Sequence, residues 1–377
     1  MRASVVSTGI TRFGRRPETL EALLSEAGRE ALERAPSGAR PQAILVGNMA
    51  SGSLAGIENL AARVSDALGL TRCPVLRVEA ASASGAAAFQ EGCRWVEQGT
   101  FDRVLVLAGE KMTGRSTPEV TRILASSLSD AEKTLGGTMP SLAALLSQLY
   151  LDRYHVPPEA IGAVTVRNRA QGCANPHAQF QTPVTLDEVN SSRWVSTPLR
   201  LLHCAAISDG AAAVVLGPRG TGVPVLGYGQ ATDVLDVAQR EPGIGFQATR
   251  DAARFAYKAA RTSPEDLDLA EVHDAFAPFQ WMDLEDLGLC PPGEAPSWIE
   301  RGGGLPESSL VVNPSGGILS RGHPVGASGL AQIVEAIRRL DPQEGADDAG
   351  RRRRAVCQSV GGMGSHNFVT VLGREGP

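Results

Sequence analysis

Two similar tetrapeptides occupy corresponding places in the chain, each between a strand-like run and a helix-like run. The first is Ser82-Ala83-Ser84-Gly85 and the second is Gly326-Ala327-Ser328-Gly329. Before the first tetrapeptide, residues 75–80 resemble a buried strand, and after it residues 86–96 form an Ala-rich helical run. After the second tetrapeptide, residues 330–340 form an amphipathic run. Two such units predict a duplicated topology in which both helices are buried side by side.

Strand-like and helix-like runs alternate before and after the middle of the chain, which implies parallel strands covered by helices. We predict a first half over residues 1–220 and a second half over residues 221–377. Between about 116 and 200 the pattern loosens into Thr-, Ser-, Pro- and Asn-rich sequence around two predicted helices, 141–154 and 158–169. A long insertion of this kind is typically functional.

Ser82 is predicted to lie at the N-terminus of a helix. Free backbone N–H groups and the positive end of the helix dipole favour negative charge there, on a nucleophile or on an adjacent oxyanion. Serine is also an ordinary helix cap. The tetrapeptide alone therefore leaves a catalytic and a capping role open.

A longer segment, residues 313–329, reads NPSGGILSRGHPVGASG and holds five glycines and two prolines in seventeen residues. Such a composition requires special backbone angles, and it places His323 just before the second helix. A histidine in this Gly-His-Pro-x-Gly frame is a candidate general base.

This segment resembles the thiolase signature, and the resemblance extends along nearly the whole chain to the sterol-carrier-protein type and archaeal-type branch of that family. Other stretches carry it in the family's order: Arg77 to Phe89, Asn168-Arg169 with residues 175–180, residues 207–213, residues 271–276 and residues 360–364. The implied fold is the thiolase fold. It has two pseudo-repeated βαβαβαββ halves in a five-layered α-β-α-β-α architecture, with an inserted loop domain that holds coenzyme A or, alternatively, supports a dimer.

The resemblance also implies roles for individual residues. Ser82 occupies the place of the nucleophilic cysteine, with His323 and His273 as the other catalytic residues. The backbone N–H groups of Ser82 and Gly361 would form the oxyanion hole. The implied supporting residues are Asn313, Asp274 and Ser359, and the implied substrate-binding residues are Gly322, Gly326, Met139 and Phe276.

Both cysteines of a typical thiolase are absent, because the acceptor position is Ser82 and the His-Asp-Cys-Phe cysteine is Ala275. The C-terminal loop carries Gln358-Ser359 ahead of Val360. A serine activated by an imidazole can still accept an acyl group. Classical Claisen thiolysis is doubtful, since no cysteine base remains except Cys357, which is more typical of a strand core.

Three functions follow from these substitutions. The first is an acyltransferase acting on acyl-CoA or acyl-carrier thioesters. The second is a thiolase-fold C–C lyase (retro-aldolase) or a decarboxylative condensing enzyme, because Ser82, His323 and His273 mimic the Cys-His-His set of some ketoacyl synthases. The third is a non-catalytic thiolase-like subunit.

Composition limits the kinds of partner and environment that we expect for this protein. The net charge of -5 provides no basic field for nucleic acid. No run of about 18 apolar residues is present to span a bilayer, so we expect a cytoplasmic protein. Six cysteines without a Cys-x-x-Cys pair predict neither a disulfide nor a metal site.

The resemblance implies no tightly bound cofactor and a coenzyme A thioester as substrate. It also implies a homodimer or dimer of dimers, and a small zinc-containing acyl-CoA-binding partner protein. The run Arg351 to Arg354, after the acidic stretch 344–348, is interpreted as a solvated loop, with a contact to a coenzyme A phosphate as the alternative.

Overall fold

The computed structural model describes residues 2–36, 40–240, 244–342 and 352–374. Ten strands join into one mixed sheet in the order β10-β9-β11-β12-β8-β1-β7-β4-β2-β3, and β5 and β6 form a separate hairpin. The strands of the first part and the hairpin are β1 Ala3–Ile10, β2 Ala43–Gly47, β3 Val75–Val78, β4 Val104–Glu110, β5 Trp194–Ser196, β6 Leu199–Arg200 and β7 Gly210–Pro218. The later strands are β8 Val223–Thr232, β9 Leu269–Glu271, β10 Val311–Val312, β11 Arg354–Gly361 and β12 His366–Gly373.

The described α-helices lie between these strands, and five of them, α4 to α8, follow one another in the inserted segment. In the first half they are α1 Leu20–Arg34, α2 Leu60–Ala67, α3 Ser84–Glu97, α4 Thr117–Ala125, α5 Asp130–Thr134, α6 Met139–Tyr154, α7 Ile161–Gly172 and α8 Leu186–Ser191. In the second half they are α9 Gln247–Ala260, α10 Ala277–Asp286, α11 Ala295–Glu300, α12 Gly317–Arg321 and α13 Ser328–Leu340. None of the helices in these ranges is long and apolar enough to cross a membrane.

The two halves of the sheet repeat one topology. The first has the order β3-β2-β4-β7-β1 and the second has β10-β9-β11-β12-β8, so in each half the spatial order is third, second, fourth, fifth and first strand, counted along the chain. In both halves the second, third and fourth strands along the chain are parallel, and the fifth runs antiparallel to its two neighbours. The predicted βαβαβαββ repeat is confirmed. The alternation alone implied parallel strands, and it was wrong for β7 and β12. Strand β12 follows β11 directly as a hairpin, and the insertion with α4 to α8 between β4 and β7 does not return the chain to the direction of β4.

Alternate residues of each strand face different helical layers. On β4, Leu105 and Leu107 pack in a core with α1 and α2, whereas Val104 and Val106 pack in a second core with α3 and α13. The other half of the sheet packs against α9 and α10 in a third core. The layers are therefore helix, sheet, helix, sheet, helix, as predicted.

Helices α3 and α13 lie side by side in the central layer, as predicted. A Cβ built on Gly85 would stand 2.8 Å from the carbonyl oxygen of Gly326 and 2.9 Å from the backbone nitrogen of Leu330. Similarly, a Cβ on Gly329 would stand 2.9 Å from the Ala86 side chain. Glycine at both positions is thus required for the close approach of the helices.

The inserted segment between β4 and β7 packs on the second half of the chain. Residues of α6 and α7 share a core with α9 and α10. Tyr150 stacks on Trp281 with ring centroids 5.5 Å apart, and its hydroxyl donates to Glu285 at 2.6 Å. The insertion is anchored to the half of the chain that follows it.

Strand β3 was predicted to be buried, and in the single chain it is not. It ends the order of the sheet, and the side chain of Leu76 is 54% exposed. The alternation of apolar residues predicts a strand but does not reveal which strand lies at an edge.

Replacing Gly85 with alanine should destabilise the protein by about 1–3 kcal/mol, because the added methyl group meets backbone atoms that cannot rotate away. Gly114→Ala is the matched control, since a Cβ there meets nothing within 4 Å. The measurement is the midpoint of chemical denaturation. Equal midpoints for the two variants would contradict the tight contact between α3 and α13.

Candidate active site

The turn that carries Ser82 joins the edge strand β3 to α3. Ala81 has a φ of 51°, in the left-handed region that non-glycine residues seldom adopt. The Ser84 hydroxyl donates to the carbonyl oxygen of Ala81 at 2.6 Å and accepts from the backbone N–H of Ala80 at 3.0 Å. Helix α3 begins at Ser84, so Ser82 lies in the turn before the helix, two residues earlier than the first helical residue. A sharp strand-to-helix turn of this kind is a common way to present a nucleophile.

The Ser82 hydroxyl is buried, with 8% of the residue exposed. It donates a hydrogen bond of 2.8 Å to the backbone carbonyl of Val360, near the end of β11. This contact joins the two halves of the chain at the predicted nucleophile. In this conformation the hydroxyl proton is directed to a carbonyl, so attack by the oxygen requires rotation of the side chain.

His323 follows α12 and precedes α13. Its backbone N–H donates to the carbonyl of Ala206 at 3.3 Å and to the hydroxyl of Ser208 at 3.0 Å. On the ring, Nδ1 lies 2.7 Å from the Ser328 hydroxyl. Burial, with a smaller contribution from the Arg321 guanidinium, lowers the pKa of His323 to about 3. The imidazole is therefore neutral at physiological pH and able to accept a proton.

His273 lies against His323. The two rings meet edge to face, with centroids 5.2 Å apart and an angle of 79°. The backbone N–H of His273 donates to Oε1 of Gln358 at 2.8 Å, and its buried Nδ1 has no hydrogen-bond partner among the described atoms. Burial, followed by the charges of His323 and Arg321, lowers the pKa of His273 well below its usual value. The structure thus brings two of the three predicted catalytic side chains into direct contact.

Asp274 and Asn313 hold neighbouring segments in place. The Asp274 carboxylate accepts from the backbone N–H of Ile318 at 2.6 Å and from the Asn168 amide at 2.6 Å. The Asn313 amide accepts from the Val272 N–H at 2.8 Å and donates to Gln280 at 3.3 Å. Both side chains are fully buried. Their hydrogen bonds fix the segments that carry His273 and His323.

Three of the predicted glycines are required by close packing. A Cβ on Gly361 would lie 2.4 Å from the Ala80 carbonyl oxygen, next to the Ser82 turn. Gly322 has a φ of 100°, and a Cβ there would lie 2.5 Å from the Ser208 hydroxyl. A Cβ on Gly326 would lie 2.6 Å from the buried carboxylate of Glu110, which accepts the Gly326 backbone N–H at 3.2 Å. These contacts explain the glycines through backbone geometry and assign no ligand to them.

Ser359 lies beside α13. Its hydroxyl is buried and has no partner among the described atoms, and it would lie 2.6 Å from a Cβ on Gly329. Among the predicted supporting residues in the described ranges, Ser359 alone has a buried polar side-chain atom without a hydrogen-bond partner. The Nδ1 atom of His273, a predicted catalytic residue, is in the same state. Ser359 provides a second hydroxyl in the region of Ser82.

Met139 and Phe276 are both partly buried and pack against the same core cluster. Met139 follows Thr138, which lines a cavity of about 660 Å³ in the inserted segment. The cavity lies between α4, α5 and the start of α6, and its charged lining residues are Arg122 and Lys133. Neither Met139 nor Phe276 lines this cavity, although Met139 is the sequence neighbour of a residue that does.

The remaining cysteine candidate is part of the core. Cys357 is buried, its thiol contacts the Gln332 carbonyl at 3.6 Å, and burial raises its pKa well above the usual value. Gln358 is also buried, with its amide engaged by His273, Thr249 and Asp283. Neither side chain is a general base. The described ranges hold no group of three or more His, Cys, Asp or Glu side chains placed to bind a metal ion.

The arginine run is only partly described, because Arg351 and the acidic stretch 344–348 lie outside the described residues. Arg352 donates to the carbonyls of Pro306 and Ser308, at 2.7 and 3.1 Å. Arg354 lies 3.6 Å from Asp266. The described residues thus make local contacts, but Arg354 is the first residue of β11 and does not belong to a loop.

Sequence reasoning missed three contributors to the site. They are the Val360 carbonyl, the Gln358 side chain and the Ser328 hydroxyl. The contact between His323 and Ser328 could have been predicted, because the two residues lie five positions apart across the start of a helix. The hydrogen bond from the Ser82 hydroxyl to the Val360 carbonyl joins residues far apart in sequence, and no sequence pattern predicts it.

Comparisons with known proteins match nearly the whole length of this chain. The family model of the thiolase N-terminal domain matches residues 3–220, and that of the thiolase C-terminal domain-like family matches residues 229–374. The chain is 36% identical over 380 residues to the acetyl-CoA acetyltransferase of Methanothermobacter thermautotrophicus, covering 98% of this chain and 99% of that protein. It is 32% identical to sterol carrier protein 2 of Gallus gallus, covering 98% of this chain and 71% of that protein. A solved structure, the Ltp2-ChsH2(DUF35) aldolase, superposes with a TM-score of 0.84 at 21% identity, covering 99% of this chain and 97% of that chain.

The neutral state of His323 is directly testable. With ¹³C-labelled histidine, the His323 resonance, assigned by its absence in His323→Gln, should not titrate between pH 8 and pH 5, because burial holds its pKa near 3. An unperturbed histidine titrates near about 6.5. Since the folded pKa is depressed, this ring contributes stability above about pH 6.5 that is lost as the pH falls toward 3. A titration midpoint above pH 6 would show that the ring is not neutralised by burial.

Proposed function

Since the chain belongs to the thiolase family, we propose that it transfers acyl groups from coenzyme A thioesters, with Ser82 as the acyl acceptor and His323 as its base. The family models and the two relatives confirm the predicted branch and fold. The observation that carries the proposal is the contact between the N-terminal ends of α3 and α13, where Gly85 meets Gly326 and Leu330. This contact supports a site in which the Ser82 turn and the His323 turn act together.

The proposed step begins with rotation of the Ser82 hydroxyl away from Val360. His323 takes the hydroxyl proton while Ser82 Oγ attacks the thioester carbonyl, and the carbonyl electrons move to its oxygen. The backbone N–H groups of Ser82 and Gly361 are proposed to stabilise that oxyanion. Collapse breaks the C–S bond, and the imidazolium returns the proton to the departing coenzyme A thiolate. An acceptor nucleophile then removes the acyl group from Ser82 by the reverse sequence.

The cavity in the inserted segment supports coenzyme A as the carrier. Its volume of about 660 Å³ suits a ligand of that size, and Arg122 and Lys133 supply positive charge for phosphate groups. The neighbouring residue Met139 packs on the same core as Phe276. An acyl-carrier thioester would be held through the same pantetheine chain.

The substitutions at both cysteine positions favour transfer over classical thiolysis. Ala275 has no titratable group, and Cys357 is buried with a raised pKa. No cysteine base therefore remains to move a proton at the α-carbon. Acyl transfer needs only the hydroxyl and the neutral imidazole.

C–C bond cleavage is the second candidate. It is favoured by the contact of His273 with His323, since two neutral imidazoles can bind and polarise a thioester carbonyl. The superposed structure is an aldolase by its printed name, although at 21% identity the likeness concerns the fold. Decarboxylative condensation would use the same pair. A non-catalytic subunit, the third reading, would form no acyl adduct and cleave no substrate.

We also propose that residues 1–220 and 221–377 act as two halves of one cytoplasmic enzyme that works as a homodimer or a dimer of dimers. A small acyl-CoA-binding partner protein is a further candidate, because the superposed aldolase is named with a DUF35 partner. The open edge of β3, with Leu76 exposed, supports pairing with a second copy.

Acylation of Ser82 is tested by intact-protein mass spectrometry after incubation with a panel of acyl-CoAs. The wild-type protein should gain one acyl mass, and Ser82→Ala should lose at least about 10³-fold in the rate of acylation. Ser359→Ala is the control, because its buried unbonded hydroxyl is the competing acceptor. Absence of an adduct in the wild type would reject the proposal. Release of an aldehyde or ketone from a β-hydroxyacyl-CoA by both wild type and Ser82→Ala would favour the lyase.

Assembly through β3 is tested by sedimentation velocity. The wild-type protein should sediment as a dimer or tetramer, and Leu76→Lys should shift the equilibrium toward the monomer, since a buried charge at a strand interface is unfavourable. Leu135→Lys is the control, because Leu135 is the most exposed large apolar side chain among the described residues, at 88%. A monomeric wild type would contradict the proposed pairing.

A further inference from the structure

The imidazole of His323 is held at one nitrogen by a single hydroxyl. Nδ1 lies 2.7 Å from Oγ of Ser328, and the same Oγ lies 3.1 Å from the carbonyl oxygen of Pro324. Ser328 is the first residue of α13 and is fully buried. Its hydroxyl is thus fixed between an imidazole nitrogen and a backbone carbonyl.

The number of protons decides the direction of these hydrogen bonds. A hydroxyl has one proton to donate, and a carbonyl oxygen can only accept. Both contacts are satisfied when Ser328 donates to Pro324 and accepts from a proton on Nδ1 of His323. In the reverse arrangement two oxygen atoms would face each other at 3.1 Å without a proton between them. The geometry therefore favours the chain from Nδ1–H to Ser328 Oγ–H to the Pro324 carbonyl.

The surroundings hold this chain rigidly. The backbone N–H of His323 is fixed to Ala206 and Ser208 on one side of the ring. On the other side, the Pro324 carbonyl also accepts the backbone N–H groups of Ala327 and Ser328, at 2.9 and 3.1 Å. The Arg321 guanidinium lowers the pKa of the ring through its charge and so disfavours a second proton on the imidazole. The neutral His323 ring carries one proton, and these contacts favour Nδ1 as the nitrogen that carries it.

We propose that Ser328 is a positioning residue that fixes the tautomer of His323, with the proton on Nδ1 and the lone pair on Nε2. The catalytic consequence rests on the proposed function, because only an unprotonated Nε2 can accept the Ser82 proton. The tautomer itself does not depend on any reaction. Ser328 acts through His323 and needs no contact with substrate.

The tautomer is measured by ¹⁵N NMR of the protein with labelled histidine, with His323 assigned through His323→Gln. In the wild type Nδ1 should carry the proton and Nε2 should show the resonance of an unprotonated nitrogen. In Ser328→Ala the acceptor is lost, so the His323 signals should move toward a mixture of tautomers. Ser328→Thr retains the hydroxyl and should restore the wild-type pattern. A proton on Nε2 in the wild type, or an unchanged pattern in Ser328→Ala, would overturn the proposal.

The rate of acylation provides the second readout. Ser328→Ala should lower the rate by about 10-fold with little change in KM, and Ser328→Thr should recover it. If the tautomer changes as expected while acylation is absent from every variant, including the wild type, the proposed function fails and the positioning role remains. A wild-type rate in Ser328→Ala together with a changed tautomer would show that the proton position is irrelevant to the reaction and would reject the catalytic consequence. Ser328→Ala removes only one oxygen, and its denaturation midpoint, measured alongside, separates a loss of fold from a loss of positioning.

Discussion

The close contact of α3 with α13 is the constraint on which the rest of the structure depends. Gly85 and Gly329 let the two helices approach until backbone atoms of one meet the other, in a layer covered on both faces by sheet. Each helix begins just after a turn that carries one of the proposed catalytic side chains, Ser82 before α3 and His323 before α13. Because the two helices belong to different halves of the chain, the proposed site requires both halves.

The electrostatics of this site follow from its burial. Both histidines have pKa values lowered mainly by desolvation, and the buried Arg321 guanidinium lowers them further. Arg321 lies 3.7 Å from Glu271, whose own pKa burial raises to about 7. A positive centre near the two imidazoles favours negative charge on a bound intermediate, and it favours rapid return of the proton from a His323 imidazolium to the leaving thiolate. This arrangement suits an acyl transfer in which negative charge develops briefly on the thioester oxygen.

The sequence predicted the larger features because they arise from local patterns. The two tetrapeptides at Ser82 and Gly326 indicated the repeat, and the apolar periodicity placed α6 and α7 within a few residues of their observed bounds. The exposed edge at Leu76 was not predictable, since an alternating strand looks the same at an edge and in the centre. The partner of the Ser82 hydroxyl was not predictable either, because it is a backbone carbonyl, and a carbonyl at Val360 carries no sequence signal. Gln358, at the place where the C-terminal loop departs from the family pattern, turned out to hold the backbone of His273 through contacts that depend on the packing of α9 and α10.

The central claim is that Ser82 becomes a nucleophile when His323 takes its proton. The most direct measurement is the burst of free coenzyme A released when enzyme is mixed with excess acyl-CoA in the absence of an acceptor. The account predicts one equivalent of coenzyme A per site in the wild type, and a burst slowed by about 10²- to 10⁴-fold in His323→Gln, the range expected for the loss of a general base. A burst of the same rate and size in both proteins would contradict it.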